Sequence, residues 1–350
     1  MQWVMPGLGV QVKDLYKPTA WPHNQIDGDA NFDYLIDRVR TAPLRQDPFT
    51  HLYIEDLLRP EHLGAVAAAP DIHISPQIND RALLEELEAT GYRAIDFPGC
   101  ITDGAAYRQW RRGGGTAGVD ADSFSGEFGM VFRLMEPQTT VVRELLATLS
   151  SDRFLAALSD RFDVTARDCA HDGGIQKYLD GYQISPHPDI RRKALTWMAN
   201  INPGPNAAEQ AFHTRYMRLK PAFAYIQSFW EGNPEVDRGH LPWHVAETVW
   251  EHRANNSMVV FAPGDKTLHA VRAWYDHLSS QRTQIYGNLW YRNRAIDLNA
   301  DWDALRIVAT QPGYATPLRA QAAAHAPAWV RAAVRRILPG GRRIHRRTIR

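Results

Sequence analysis

The spacing of hydrophobic residues changes about halfway along this chain, from a helical period to an alternating one. In the first half, the segment RALLEELEATGY places Leu83, Leu84 and Leu87 on one face of a helix. Asp80 precedes this stripe as the predicted N-cap, and Gly91 is a typical residue to end the helix. The pattern therefore predicts an amphipathic helix with its leucines buried.

Two further helices are predicted before the midpoint. TVVRELLATL (140–149) runs into Ser150 and Ser151, and either serine can cap the next segment, DRFLAALSDRF (152–162). The buried stripe of this second helix is predicted to consist of Phe154, Leu155, Leu158 and Phe162.

Nearer the start, THLYIEDLL (50–58) is typical of a strand, and PEHLGAVAAA (60–69) of a short helix with proline in its first turn. Residues 1–44 are rich in Pro, Gly and Asp, so we expect an irregular N-terminal arm. Residues 45–295 then form the main domain, and residues 296–350 a C-terminal helical extension with an arginine-rich tail.

In the second half, runs of β-branched and aromatic residues bounded by Gly, Pro or Asn predict strands. Five such runs occur, at 175–178, 182–185, 195–202, 257–263 and 282–291. Leu179-Asp180-Gly181, between the first two runs, is a reverse-turn signal. The segment 203–256 reads as a long insert between the third and fourth strands, and such inserts are either active-site lids or disordered.

The order of these elements favours an α+β fold. Helices lie outside a run of short strands, whereas a parallel sheet would need a helix after each strand. A closed or sandwiched β structure is therefore expected.

Charge is concentrated at the C-terminal end. The chain has a formal net charge of +1, but residues 331–350 carry eight arginines and no acid, which leaves 1 − 8 = −7 for the rest. A body of that charge is not expected to bind nucleic acid specifically. The tail could contact an anionic polymer or an acidic membrane surface peripherally.

Cysteine usage and hydropathy predict a cytoplasmic protein, with membrane-peripheral attachment through the tail as an option. Cys100 and Cys169 have no partner at metal-ligand spacing, so we expect buried free thiols. No stretch approaches the roughly 20 apolar residues that a membrane span needs. The first residues also lack a charged leader followed by an apolar run.

The candidate chemistry lies in ISPHPDIRRK. His187 and Asp189 are two residues apart at the end of a predicted strand, so their side chains point to the same side. Pro186 and Pro188 restrict the backbone there, which suits a strand end. A redox metal that activates oxygen needs ligands on one face and open positions on the other, and two imidazoles with one carboxylate give that arrangement. His269, in TLHAV just past the fourth strand, is the candidate third ligand.

This arrangement resembles the Fe(II)/2-oxoglutarate-dependent dioxygenases, in particular the prolyl-4-hydroxylase-like branch. The stretches that carry the resemblance are KYLDGYQISPHPDIRRKALTWMANIN, FAPGDKTLHAV and RTQIYGNLWY, and DPFTHLYIEDLLRPEHL near the start is also similar. The resemblance covers about residues 45–295. It implies a double-stranded β-helix, a jelly-roll or cupin-like barrel, buttressed by α-helices.

Residue by residue, the resemblance implies that His187, Asp189 and His269 bind Fe(II) at a catalytic centre that uses O2. It also implies that Arg282 pairs with the far carboxylate of 2-oxoglutarate, a bidentate match for a guanidinium. Further candidates for the cosubstrate site are Thr283, Tyr182, Lys193, Arg192 and Arg272.

The implied reaction is a hydroxylation in which 2-oxoglutarate is converted to succinate and CO2. We expect the substrate to be a small molecule or a glycan biosynthetic intermediate. A prolyl-type hydroxylase of proteins or peptides is an alternative within the class. A non-catalytic barrel that only binds ligands, and a zinc hydrolase with the same triad, are alternatives outside it.

Two histidine motifs favour simpler interpretations. His240 and His244 in HLPWH have the spacing of a helical zinc pair, but the intervening proline argues against a helix. A surface loop whose Trp243 meets the substrate is favoured instead. His171 and Asp172 run into two glycines, which predicts a plain turn.

Two cationic segments also leave their role open. RRGGGTAG (111–118) lacks the ending of a nucleotide-binding loop and predicts a flexible loop. Arg191, Arg192 and Lys193 could attract an anionic substrate, serve 2-oxoglutarate, or form a solvated face.

Overall fold

The computed structural model describes residues 32–96, 100–113 and 129–292, all of which belong to one structural unit of the chain. Its helices are α1 (Tyr34–Thr41), α2 (Pro60–Ala68), α3 (Asp80–Ala89), α4 (Gly104–Arg112), α5 (Thr140–Leu149), α6 (Asp152–Asp160) and α7 (Tyr225–Gly232). Its strands are β1 (Leu44–Arg45), β2 (His51–Ile54), β3 (Tyr92–Ala94), β4 (Val131–Leu134), β5 (Cys169–Tyr178), β6 (Gln183–His187), β7 (Lys193–Asn200), β8 (Thr214–Leu219), β9 (Ala246–Glu251), β10 (Ser257–Phe261), β11 (His269–Arg272) and β12 (Arg282–Tyr291).

The strands form two antiparallel sheets. The larger has the order β1-β2-β10-β7-β12-β5-β4-β3, and the smaller has the order β6-β11-β8-β9. Side chains of both sheets line a single cavity, so the sheets face each other across it. Mixed helices and antiparallel sheets confirm the predicted α+β class. The described strand pairs do not link the two sheets into a closed barrel, so the jelly-roll closure remains a prediction.

Helices α1 to α6 cover the other face of the larger sheet. One hydrophobic cluster joins helix residues such as Leu83 and Phe154 to Trp197, Ile285 and Leu289 of the sheet. Because side chains alternate along a strand, the intervening positions of β12 point away from this core and toward the cavity. The larger sheet therefore separates a dry core from a polar interior.

The predicted helices of the first half are present, with one change of cap. Leu83, Leu84 and Leu87 are buried as predicted. The N-cap of α3 is Asn79, whose side chain accepts from the backbone N–H of Ala82 at 3.0 Å, rather than Asp80. Asn79 has the extended backbone of a cap, whereas Asp80 is already helical.

The predicted cap and three of the four predicted buried residues of α6 are confirmed. Ser151 is its cap and accepts from the backbone N–H of Phe154. Phe154, Leu155 and Leu158 are buried. Phe162 lies beyond the end of α6 and is only half-buried.

The five predicted strands correspond to β5, β6, β7, β10 and β12. The turn at Leu179-Asp180-Gly181 is present, and Gly181 adopts φ +86°. The flanking strands do not pair with each other, because β5 joins the larger sheet and β6 the smaller. The predicted plain turn at His171 and Asp172 is wrong, since both residues lie within β5. Gly173 and Gly174, which favour a turn by composition, pair with β12 as part of the ladder.

The segment 203–256 holds more regular structure than an insert would. It contributes β8 and β9 to the smaller sheet, and α7 lies between them. The predicted arm likewise ends in α1, where Leu35, Ile36 and Val39 are buried. Other domain boundaries remain predictions.

Several predictions concern residues outside the described ranges. These are the arm up to residue 31, positions 114–118 of RRGGGTAG, and the extension 296–350 with its arginine-rich tail. Of the two cysteines, Cys169 is buried and Cys100 half-buried, and both are free thiols. None of the described helices has the length and hydropathy needed to cross a bilayer.

Candidate functional site

Strand pairing brings together two histidines that are 82 positions apart in the sequence. β6 and β11 are antiparallel neighbours, and His187 and His269 are directly paired in the ladder. The imidazole centroids are 4.3 Å apart. A register shift in the pairing with β6 follows His269, and irregularities of this kind re-aim side chains near functional sites.

Asp189, two residues beyond His187, completes the cluster. The ligand atoms of His187, Asp189 and His269 all lie within 4.8 Å of one another. Nε2 of His187 is 3.9 Å from Oδ1 of Asp189, and Nε2 of His269 is 4.0 Å from Oδ2. All three side chains are buried. The sequence thus identified three residues that the fold brings to one point.

Backbone carbonyls fix the orientation of both imidazoles. Nδ1 of His187 donates to the carbonyl of Ser185 at 2.8 Å, and Nδ1 of His269 donates to that of Thr267 at 3.0 Å. A carbonyl can only accept, so Nδ1 carries the proton and the lone pair of Nε2 faces Asp189. Burial lowers the pKa of His269, and it lowers the pKa of His187 well below the usual value. Both rings are therefore neutral.

Asp189 is held by two side chains. Oδ1 accepts from Nζ of Lys193 at 2.6 Å, and Oδ2 accepts from Oγ1 of Thr196 at 2.6 Å. Burial alone would raise the pKa of Asp189, but the ammonium of Lys193 outweighs it and leaves the pKa below its usual value. The carboxylate is therefore charged.

A cavity of about 690 Å³ opens over this cluster. It is lined by residues of β5, β7 and β12 from the larger sheet and of β6 and β11 from the smaller. Its volume falls in the range of roughly 300–1,000 Å³ that is usual for small-molecule sites.

Arg282 lies deep in this cavity and is 2% exposed. Its Nη2 donates to Oγ1 of Thr214 at 3.0 Å, and the guanidinium stacks on the ring of Tyr178 at 4.4 Å. Its Nη1 is buried and has no hydrogen-bond partner among the described residues. A buried guanidinium with one donor still to satisfy suits a carboxylate ligand.

The other predicted cosubstrate residues separate into two groups. Tyr182, Lys193 and Arg192 line the cavity, although the ammonium of Lys193 is engaged by Asp189. Arg272 is not among the lining residues, and its Nε donates to Gln183 at 2.7 Å.

Thr283 does not face the cavity, which corrects its assignment. Its hydroxyl donates to the carbonyl of Gln281 at 2.9 Å and accepts from Lys177 at 2.8 Å. Successive residues of a strand point to opposite faces, so Thr283 cannot share the cavity face with Arg282.

Three residues at the site were not predicted. Tyr286 lines the cavity and its hydroxyl lies 3.1 Å from Nζ of Lys193, while Thr196 contacts Asp189. The even spacing of Tyr286 from Arg282 could have indicated it. The buried ring of His240 stacks on that of His187, with the ring centroids 4.7 Å apart. The sequence spacing of these two histidines does not predict this contact. His240 therefore belongs to the cavity rather than to a zinc pair with His244.

Comparison with known proteins gives similarity only at the level of structure. No protein-family model matches the chain, and no curated protein matches it. Among solved structures, a prolyl-4-hydroxylase from Pseudomonas putida has a TM-score of 0.38 and 13% identity, and the match covers 74% of this chain and 98% of that one.

Two further solved structures are similar. An oxidoreductase of the 2OG-Fe(II) oxygenase family from Burkholderia pseudomallei has a TM-score of 0.28 and 14% identity, with coverage of 64% and 97%. A prolyl hydroxylase from Trichoplax adhaerens, in complex with a hypoxia-inducible-factor peptide fragment, has a TM-score of 0.30 and 11% identity, with coverage of 61% and 89%.

Proposed function

We propose that this protein is an Fe(II)- and 2-oxoglutarate-dependent oxygenase with His187, Asp189 and His269 as metal ligands. The observation that carries this proposal is the convergence of these three buried side chains within 4.8 Å. Two neutral imidazoles and one carboxylate are the donor set of non-haem Fe(II) oxygenases. When bound, Fe(II) and 2-oxoglutarate supply the means to oxidise a substrate C–H bond with O2, while 2-oxoglutarate becomes succinate and CO2.

The surroundings of the triad fit this role. The backbone carbonyls that accept from Nδ1 leave both Nε2 atoms as ligands and hold the rings in place. Thr196 and Lys193 hold the Asp189 carboxylate in its charged form. Asp189 also argues against a halogenase, because that chemistry needs a small residue there so that halide can bind.

Arg282 is proposed to bind the far carboxylate of 2-oxoglutarate. Its unsatisfied Nη1 supplies a donor inside the cavity, and Thr214 and Tyr178 fix the plane of the guanidinium. Tyr182, which also lines the cavity, is proposed as a further contact.

The proposed reaction is the hydroxylation of a small molecule or a glycan intermediate. The cavity of about 690 Å³ supports this substrate class, because it has the dimensions of a small-molecule site.

Anaerobic titration of the full chain with Fe(II) and 2-oxoglutarate tests the proposal. We expect a weak visible charge-transfer band in the wild type and no band in His187→Ala, because that variant lacks one of two imidazole ligands. On admission of oxygen, succinate should form together with oxygen consumption. Metal-dependent hydrolysis without oxygen uptake would instead identify a zinc hydrolase, and a wild type without band or succinate would contradict the proposal.

The same assay decides which cation serves the cosubstrate. Arg282→Gln should raise the half-saturating concentration of 2-oxoglutarate roughly 30-fold, because loss of a buried charge-pair partner costs about 2 kcal/mol or more. Arg272→Gln is the matched control and should leave it within about twofold, since Arg272 does not line the cavity.

A further inference from the structure

Charge is distributed differently in the cavity and in the rest of the chain. Six cationic side chains and three carboxylates line the cavity. The chain outside residues 331–350, by contrast, has a net charge of −7. The cavity is therefore a local positive region on an acidic body, and such a region raises the local concentration of anions.

Ion pairs account for half of the lining cations. The three pairs are Arg133 with Asp172 at 2.7 Å, Lys193 with Asp189 at 2.6 Å, and Arg238 with Asp265 at 2.7 Å. Arg282 is assigned to 2-oxoglutarate by the proposed function. Arg192 and Arg292 remain, and neither guanidinium forms an ion pair with any residue in the described ranges.

The consecutive cations Arg191, Arg192 and Lys193 are separated by the fold. Arg191 is buried away from the cavity, where its guanidinium donates to the carbonyls of Val236 at 2.7 Å and Trp230 at 2.6 Å. Lys193 is engaged by Asp189. Arg192 alone of the three lines the cavity without such a contact among the described residues.

Arg192 and Arg292 come from adjacent segments at the exposed end of the cavity. The backbone N–H of Tyr291 donates to the carbonyl of Arg192 at 2.9 Å, which places the end of β12 beside the segment before β7. Arg192 is half-buried and Arg292 exposed, in contrast to the deeply buried Arg282. The two arginines therefore stand at the mouth, and the cosubstrate cation at the base.

We propose that the substrate carries a carboxylate or phosphate group, and that Arg192 and Arg292 bind this group at the mouth of the cavity. This inference rests on the proposed function and deepens it. The charges of Fe(II) and 2-oxoglutarate cancel each other. Binding of both therefore leaves the positive charge of the two mouth arginines uncompensated. Asp96 is the one lining carboxylate outside the ion pairs within the described part of the chain, and it does not offset both of them.

Calorimetric titration of the full chain, saturated with Mn(II) and 2-oxoglutarate, tests this assignment. The probes are phenyl phosphate and benzoate as the two anion sources, with phenol as the neutral comparison. We expect at least one anion to bind more tightly than phenol, and its affinity to fall about tenfold in the double variant Arg192→Gln/Arg292→Gln, since each exposed ion pair contributes modestly.

Arg81→Gln/Arg143→Gln is the matched control. It removes the same charge from exposed arginines on α3 and α5, and should leave anion affinity within about twofold. The arginines of 331–350 are present in every variant, so anions bound there would give equal signals in all of them. Equal affinity in both double variants, no preference for either anion over phenol, or loss of binding only in Arg282→Gln would each overturn the proposal.

A failure of this inference is distinguishable from a failure of the proposed function. The charge-transfer band of the wild type is measured separately and reports on Fe(II) and 2-oxoglutarate. If the charge-transfer band is present but the double variant at the mouth binds anions as tightly as the wild type, only the substrate assignment is wrong. If the double variant loses anion affinity but the wild type gives no charge-transfer band, the oxygenase assignment is wrong and the mouth is an anion-binding site.

Discussion

Lys177 is buried on the face of β5 opposite the cavity. Its ammonium donates to the carbonyl of Ile72 at 2.7 Å and to Oγ1 of Thr283 at 2.8 Å. No carboxylate forms an ion pair with it among the described residues. Burial lowers the pKa of Lys177 to about 7.

This shift makes stability depend on pH. The unfolded chain has a lysine pKa near 10.5, so between about pH 7 and 10.5 the unfolded state binds more protons and the folded state gains stability as pH rises. Relative to Lys177→Met, the wild type should gain up to about 1.4 kcal/mol of unfolding free energy per pH unit in that window. Urea unfolding between pH 6 and pH 10 measures this difference.

The exposed Lys266 provides the control for this experiment. Lys266→Met should give a profile parallel to that of the wild type. A parallel profile for Lys177→Met would mean that its ammonium is not desolvated.

The sequence and its family resemblance predicted the triad but not the contacts around it. His187 and Asp189 share a face because of their two-residue spacing, and His269 completes the cluster through strand pairing. The same alternation excludes Thr283 from the cavity, contrary to its prediction as a cosubstrate residue. Thr196, which contacts Asp189, was missed because nothing local marks a buried threonine as a partner for a carboxylate.

At the scale of elements, β12 organises the site. It pairs with β5 along its whole length and with β7 along most of it. Arg282 and Tyr286 point into the cavity, whereas Ile285 and Leu289 belong to the helix-facing core. One strand therefore carries both the binding surface and the packing that supports it.

Gly287 is a position on β12 where a side chain cannot be accommodated. A Cβ there would overlap the indole of Trp197, which is itself fully buried. Gly287→Ala should lower the unfolding free energy by about 1–3 kcal/mol, because the indole would have to shift within a packed core. Denaturant unfolding measures the change.

Gly64 on α2 is the matched control, since a Cβ there would meet nothing within 4 Å. Gly64→Ala should raise stability by roughly 0.5–1 kcal/mol through helix propensity. Equal effects of the two substitutions would argue against the predicted overlap at Trp197.

The strands of the larger sheet were easier to predict than those of the smaller. The five predicted strands are rich in β-branched and aromatic residues, and four of them lie in the larger sheet. TRYMRL and AETVWE, which form β8 and β9, carry charged residues, and the sequence predicts both as part of an insert. Their strand character depends on pairing with β11 and with each other, which local sequence does not encode.

At the scale of the whole molecule, the triad connects metal binding to the stability of the fold. His187 and His269 stand on two strands of the smaller sheet, and Asp189 is held by Lys193 and Thr196 at the larger one. A cation bound by all three would therefore hold the two sheets together. A ligand that binds only the folded state stabilises it by mass action.

Mn(II), at about 100 times its dissociation constant, should stabilise the wild type by about 2.7 kcal/mol. The increment should be absent in His269→Ala, because a two-ligand site holds the metal weakly. Thermal unfolding with and without Mn(II) measures it. His73→Ala, which removes an exposed histidine, should retain the full increment, and an unchanged increment in His269→Ala would place the bound metal elsewhere.

The direct pairing of His187 with His269 has a practical consequence for preparations of this protein. If β6 and β11 were offset by one residue, one imidazole would point to the wrong side of the sheet and the metal would lose a ligand. The amount of iron bound per chain therefore measures the fraction of molecules in which β6 and β11 pair in the correct register. It offers a quality check on recombinant material that requires no substrate.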